Sequence, residues 1–347
     1  MDPRTRAHIG TLPAGGAAPT GATSPARPDP AVVLFVGAGR SGSTVLEMLL
    51  AADTDSIGVG ELRWLWQRGY LDNNVCSCGQ RTRDCPFWSQ VFEKVRARFA
   101  DDEDLEQSIR AYNAVLSMRI APLLPLRRRA LTDQMDRARG LLRLAYEAIS
   151  ESAGGAPIVD PSKVPTFAHL VSTTDGLNVA YLSIVRDSRA VAYSWRRRKA
   201  RPEVHGGPAE MARPAIAKVA LEWCYRYLAL AYLWPRIGRR TEVIRYEAFA
   251  EAPEATLARV RRRLETLQMP LADRSADPPN YHSVSGNPIR FERQPLVVKP
   301  DLEWRTELRW PDRLVTTVLT APLLAHHHLA VRRERTRRQR LGRSASS

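Results

Sequence analysis

The chain has little of what would staple or anchor it. Four cysteines in 347 residues are too few for a disulfide framework. No apolar run is long: Ala31 to Val36 and Leu228 to Trp234 lead, far short of the ~18–20 residues of a membrane span. The first thirty residues are mostly Ala, Gly, Pro, Thr and Arg and lack the apolar centre of a secretory signal. They read as a disordered leader (1–30) on a cytoplasmic protein. Acidic residues are also scarce, 37 Asp and Glu against 52 Lys and Arg, for a net charge of +15. Seven arginines and one glutamate between Arg332 and Arg343 supply +6 of that, and 330–347 reads as a solvated basic tail. The remaining excess favours acidic partners: phosphorylated ligands, nucleic acid or an anionic surface.

A hydrophobic fraction of 44% does allow a sizeable core, which excludes a disordered chain. Ala31-Val-Val-Leu-Phe-Val36 is a continuous apolar run, as expected of a strand buried on both faces. It ends in glycines and opens into a helical pattern from Ser43 to Ala52. Further strands are expected at Pro157–Asp160, Asn178–Val185 and Thr241–Glu247, each followed by a helical stretch. Ser56 to Gly60 reads as a short one. Strands alternating with helices predict an α/β fold of three layers, a P-loop-like, mostly parallel central sheet flanked by helices. That domain should span 31–329. Within it, 102–153 reads as a helical insertion, a candidate lid over an acceptor site.

The loop between the first strand and helix is Gly37-Ala-Gly-Arg-Ser-Gly-Ser-Thr44. Backbone N–H groups in such a loop, backed by a helix N-terminus, cradle phosphate or sulfate oxygens. Gly37 and Gly42 fit the P-loop spacing, but Ser43 stands where its lysine belongs. The nearby cation is Arg40, inside the loop. The missing lysine argues against an ATPase or GTPase. A glycine-rich turn with no ligand is the plainer alternative.

Gly39-Arg-Ser-Gly-Ser-Thr44 after a buried strand resembles the 5′-phosphosulfate loop of sulfotransferases that use 3′-phosphoadenosine 5′-phosphosulfate (PAPS). Arg186-Asp-Ser-Arg-Ala-Val-Ala-Tyr-Ser194 resembles the 3′-phosphate signature of that family. Arg186 and Ser194 match its two phosphate ligands, eight residues apart, about two helical turns. Asp187 fits equally well as an ordinary helix cap. Val243-Ile-Arg-Tyr-Glu247 resembles the following strand, and Gly286-Asn-Pro-Ile-Arg290 a late loop of bacterial members, which makes Arg290 a second 3′-phosphate ligand. The resemblance covers roughly Ala31 to Trp310. It implies binding of PAPS by Gly39, Arg40, Ser41, Gly42, Ser43, Thr44, Arg186, Ser194 and Arg290, as donor cosubstrate, with no metal required.

The same resemblance implies the chemistry. Arg40 and Lys163, the latter just past a strand end, would stabilise charge on the leaving phosphate and the sulfuryl group, although Lys163 alone reads as a surface residue. Glu61 resembles the catalytic glutamate of tyrosylprotein sulfotransferases and would act as base, while local sequence supports a helix-capping role equally. His282 is its rival; His169 lies in an apolar helix and His205 in a loop. Cys76, Cys78 and Cys85 invite a zinc reading, but the fourth ligand is missing, so no metal ligand is assigned and a structural loop is expected. Trp64 and Trp66 are candidates for an acceptor pocket. The acceptor would be a hydroxylated small molecule, lipid, sugar or peptide, less readily an amine. The alternatives are a P-loop small-molecule kinase, and a basic nucleic-acid-binding protein resting on the tail and Arg196 to Lys199. No nucleic-acid-binding motif accompanies those arginines, so no nucleic-acid partner is expected, and the run just after Ser194 reads more economically as a rim for the 3′-phosphate or an acidic acceptor.

Overall fold

The computed structural model describes residues 28–119, 129, 131–198, 210, 213–269, 271–273, 281–292 and 298–325. Leader residues 1–27, the basic tail, Lys199 and His205 lie outside the described residues. Five strands form one parallel sheet: β1 (Ala31–Gly37), β2 (Ile57–Gly58), β3 (Ile158–Lys163), β4 (Asn178–Val185) and β5 (Thr241–Arg245). Their order is β2-β3-β1-β4-β5, so β1 is central. Alternate β1 residues point to opposite faces. Val32, Leu34 and Val36 enter one core, Val33 and Phe35 the other. Burying each such side chain contributes about 1.5–3 kcal/mol, which is why this run has no polar position.

Helix α1 (Ser43–Asp53) covers the second face through Leu46 and Leu50. On the first face lie α2 (Pro86–Arg96), α3 (Asp102–Ser117) and α4 (Thr132–Ser152). The last two are the 102–153 insertion. They pack on each other and on the sheet through Leu105, Ile109, Tyr112, Leu141 and Tyr146, a core layer. Next come α5 (Pro165–Ser172), α6 (Ser188–Arg196) and α7 (Ile216–Ile237). They are followed by α8 (Tyr246–Glu251) and α9 (Pro253–Thr266). Among the described residues no helix is long and apolar enough to cross a membrane.

The strand order reverses at β1, between β3 and β4. Ligands of open parallel sheets bind at such a switch, beyond the strands' C-terminal ends. Three features converge there: the glycine loop after β1, the end of β3 and the end of β4. β3 carries a bulge at that end. Leu34 pairs with Asp160 but Val36 with Lys163, so β3 holds one extra residue. Pro161 lies within the bulge and cannot donate to the ladder. Lys163 closes the strand at a left-handed φ of 62°, and the bulge re-aims its side chain.

Gly60 sets the other wall. Its φ is 71°, and a Cβ there would meet Ser283 Oγ at 2.3 Å and the Ser285 carbonyl oxygen at 2.6 Å. Gly60→Ala should therefore destabilise the fold by about 3 kcal/mol, combining left-handed strain with overpacking. Gly154 has φ 64°, and a Cβ there would meet nothing within 4 Å, so Gly154→Ala should cost only about 1 kcal/mol. Urea unfolding of both variants checks this; equal losses would show that the close approach of 283–285 carries no weight.

Candidate active site

The switch point opens into a cavity of about 340 Å³. Of the sequence-expected residues, Gly39, Arg40, Gly42, Ser43, Thr44, Glu61, Lys163, Arg186 and Ser194 line it. Segments far apart in sequence thus meet at one place. Gly42 stands before α1 at φ 86°, and no side chain caps that helix. Its first N–H groups and the Ser43 and Thr44 hydroxyls are accordingly donors for an anion. Ser41 is fully buried, its Oγ lacking a hydrogen-bond partner among the described residues.

Glu61 and Lys163 form the central ion pair, Nζ to Oε1 at 2.7 Å. Arg63 Nε donates to the other carboxylate oxygen at 3.1 Å. Burial alone would raise the Glu61 carboxyl, but Lys163, Arg63 and Arg68 outweigh it and hold it down to about 2. Glu61 precedes a short 3-10 turn (Leu62–Trp64) without capping it through its side chain, so the capping role does not hold. A π-helix (Leu65–Leu71) follows. Arg63 and Arg68 both lie over the Trp64 ring, at 4.3 and 4.0 Å. Trp64 lines the cavity, whereas Trp66 packs in the core against Tyr70 and Phe92.

At the other end, Arg186 donates to the Arg40 carbonyl at 2.9 Å and to Asp301 Oδ2 at 2.9 Å. Its guanidinium lies 4.1 Å over the Tyr246 ring. Arg197 reaches the other Asp301 oxygen at 3.1 Å. Asp187 does cap α6, accepting from the Arg189 N–H at 2.8 Å. Arg40 lies 4.8 Å over Trp195.

Sequence reading missed Arg63, Arg68, Arg226, Tyr246 and Asp301, whereas Arg197 of the run after Ser194 does line the wall. Arg226 sits on α7, pairs with Glu222 at 2.8 Å and donates toward the Gly37 and Lys163 carbonyls at 3.4 Å. Arg290 departs from expectation. It is buried and absent from the lining, its guanidinium donating to the Ser283 and Val75 carbonyls at 2.8 and 3.3 Å. Its donors brace the loop, and Gly286, Asn287 and Ile289 form the wall instead. His282 does not line the cavity either; its Nδ1 lies 3.3 Å from Cys85 Sγ. His169 is buried in α5.

A Sulfotransferase family model matches residues 30–268, the span that contains the sheet and the glycine loop. The chain belongs to the sulfotransferase family. The sulfotransferase domain of the Synechococcus PCC 7002 olefin synthase is similar at 16% identity and TM-score 0.45, over 86% of this chain and 96% of that one. That of the curacin biosynthetic pathway is similar at 16% and 0.41, over 86% and 98%. Sulfotransferase STF9 of Mycobacterium avium is similar at 15% and 0.40, over 69% and 64%. A comparison with curated proteins found no match.

Behind the ion pair, this sulfotransferase buries a second carboxyl. Glu47 of α1 is fully buried and accepts the Gly60 N–H at 2.7 Å, joining α1 to the residue before Glu61. Burial pushes it up to about 8, against the Gly60 hydrogen bond and Lys163, so the folded protein holds it protonated at neutral pH. A raised folded value means stability is lost as pH rises from about 4.5 toward 8. Asp160, raised by burial to about 6, acts below that. Glu47→Gln keeps the acceptor oxygen and removes the proton linkage. Between pH 6 and 8 it should gain on the wild type by about 1 kcal/mol per pH unit. Urea titrations at pH 6, 7 and 8 measure the difference, and a flat one refutes a neutral Glu47.

Proposed function

We propose that this sulfotransferase moves the sulfuryl group of PAPS to a hydroxyl acceptor by in-line displacement. The observation that carries the reading is the cavity's composition. Arg40, Arg63, Arg68, Lys163, Arg186, Arg197 and Arg226 face Glu61 and Asp301, seven cations to two carboxylates, beside a glycine loop and an uncapped helix. Such a surplus suits a ligand with anionic groups at both ends. Arg186 and Ser194 would hold the 3′-phosphate, in the place where Asp301 pairs with Arg186. Gly39 to Thr44 would hold the 5′-end.

The acceptor O–H gives its proton to Glu61 while its oxygen bonds to sulfur. The bond from sulfur to the 5′-phosphate oxygen breaks, and that phosphate keeps the electron pair. Arg40 and Lys163 offset the charge gathering on it and on the sulfuryl oxygens. A carboxylate held near 2 by Lys163 is a weak base. Sulfuryl oxygens that draw Lys163 away would raise it, coupling donor binding to base strength.

Calorimetry with 3′-phosphoadenosine 5′-phosphate, ADP and ATP, with and without Mg²⁺, tests the donor. Binding should need the 3′-phosphate and no metal, and Arg186→Ala should weaken it roughly 10- to 100-fold. Glu61→Gln should leave that binding within about twofold yet cut transfer from radiolabelled donor by about a hundredfold or more. Preference for ATP with Mg²⁺ would favour the kinase reading; unchanged transfer in Glu61→Gln would remove Glu61 as base.

A further inference from the structure

The loop after the π-helix brings three thiols together, and a distant segment adds a fourth ligand. Cys78 Sγ lies 3.6 Å from Cys85 Sγ, and Cys85 Sγ 3.9 Å from Cys76 Sγ. His282 Nδ1 stands 3.3 Å from Cys85 Sγ and 4.0 Å from Cys76 Sγ. All four atoms lie within 4.8 Å of one another. A tetrahedron with Zn–S near 2.3 Å and Zn–N near 2.0–2.1 Å has edges of about 3.5–3.8 Å. The cluster is therefore already close to the shape of a Cys₃His zinc site. All three cysteines are free thiols, and any one disulfide among them would leave the third unpaired.

The surroundings hold the ligands in place. The Cys76–Cys78 turn is closed by Gly79 N–H to the Cys76 carbonyl at 2.9 Å, with Gly79 at φ 95°. The histidine is held too. Its ring stacks on Phe87 at 5.0 Å, its backbone N–H donates to the Gly58 carbonyl, and its own carbonyl accepts from Trp88 Nε1 at 2.8 Å. Outer partners of this kind orient ligands around a metal. Cys76 and Cys85 are buried, which leaves little room for a water or substrate ligand.

We propose that Cys76, Cys78, Cys85 and His282 Nδ1 bind one structural zinc ion. The ion ties the loop after Glu61 to the segment 281–289, and Ser77 already bonds that segment at Tyr281 and Ser283. The same segment supplies the Ser285 carbonyl that accepts the Glu61 N–H at 2.8 Å, and Gly286, Asn287 and Ile289 of the cavity wall. Zinc here clamps one side of the site without entering it. The assignment stands whatever the donor or acceptor.

Elemental analysis of the full chain, purified under reducing conditions, should find about one zinc per protein. Cobalt(II) added to chelated protein should give the visible bands and thiolate charge transfer of a tetrahedral thiolate site. Cys76→Ser with Cys85→Ser should abolish zinc uptake, and Cys224→Ser, outside the cluster, should leave it unchanged. His282→Cys should retain the ion, while His282→Ala should weaken zinc binding at least about tenfold. Should the variants fail to fold, the wild-type chain decides. Wild-type protein that takes up neither zinc nor cobalt, that holds iron instead, or that shows a Cys78–Cys85 disulfide under reducing conditions overturns the proposal. So does zinc content indifferent to the double substitution.

Discussion

Crowding of like charge is the constraint on which this site depends. Two unit charges 4 Å apart repel by about 4 kcal/mol at an effective dielectric of 20, and seven cations share one cavity. Two arrangements make that tolerable. Carboxylates take some of the cations: Glu61 pairs with Lys163 and Arg63, Asp301 with Arg186 and Arg197, and Glu222 with Arg226. Aromatic faces receive Arg40, Arg63, Arg68 and Arg186. The positive field that remains is fixed by the fold before any ligand arrives, which is the condition for electrostatic preorganisation.

The field holds its shape because the backbone beneath it cannot shift. β1 is paired on both sides, so the glycine loop leaves the sheet at a fixed point. The β3 bulge fixes Lys163, and Asp160 in the same bulge accepts from Ser162 N–H and Oγ and from Tyr146 Oη at 2.9, 2.5 and 2.7 Å. Gly60 is gripped from α1 by Glu47 and pressed against 283–285. Two buried carboxyls thus serve the site as hydrogen-bonding anchors, and burial raises both. Glu61, close to them but ringed by cations, is driven the opposite way. Environment alone separates the two raised anchors from the lowered Glu61.

What the sequence made legible was whatever lies within one local pattern. The β1 run, the glycine loop and the Arg186–Ser194 stretch each lie within one contiguous segment, and the last two line the same cavity. Glu61 and Lys163 were readable as residues at strand ends, but their pairing joins positions 102 residues apart. Arg226 looks like any helical arginine until α7 crosses the end of β1. Asp301 has no local signal at all. Arg290 misled because its motif fixes where the loop goes, not which way a guanidinium turns; two backbone carbonyls needed a donor. His282 was weighed as a base, and the cysteines were judged one ligand short, for the same reason. Neither segment carries any mark of the other.

The carboxylates that neutralise the cavity sit where an anionic ligand would place its own charges. Asp301 offers both oxygens to Arg186 and Arg197, as a phosphate would, and Glu61 offers one to Lys163. Ligand entry is then an exchange of anions, in which each cation trades a protein carboxylate for a ligand oxygen. The net gain per contact is smaller than a bare arginine would give, because a paired charge must first be released. Selectivity rises in return: a ligand with one anionic group leaves one end still closed by its own carboxylate. Only a ligand long enough to reach from Arg186 to Lys163 replaces both. For the proposed donor, the Glu61–Lys163 pair opens when the group to be transferred reaches Lys163, so the carboxylate proposed as base is released as that group arrives beside it.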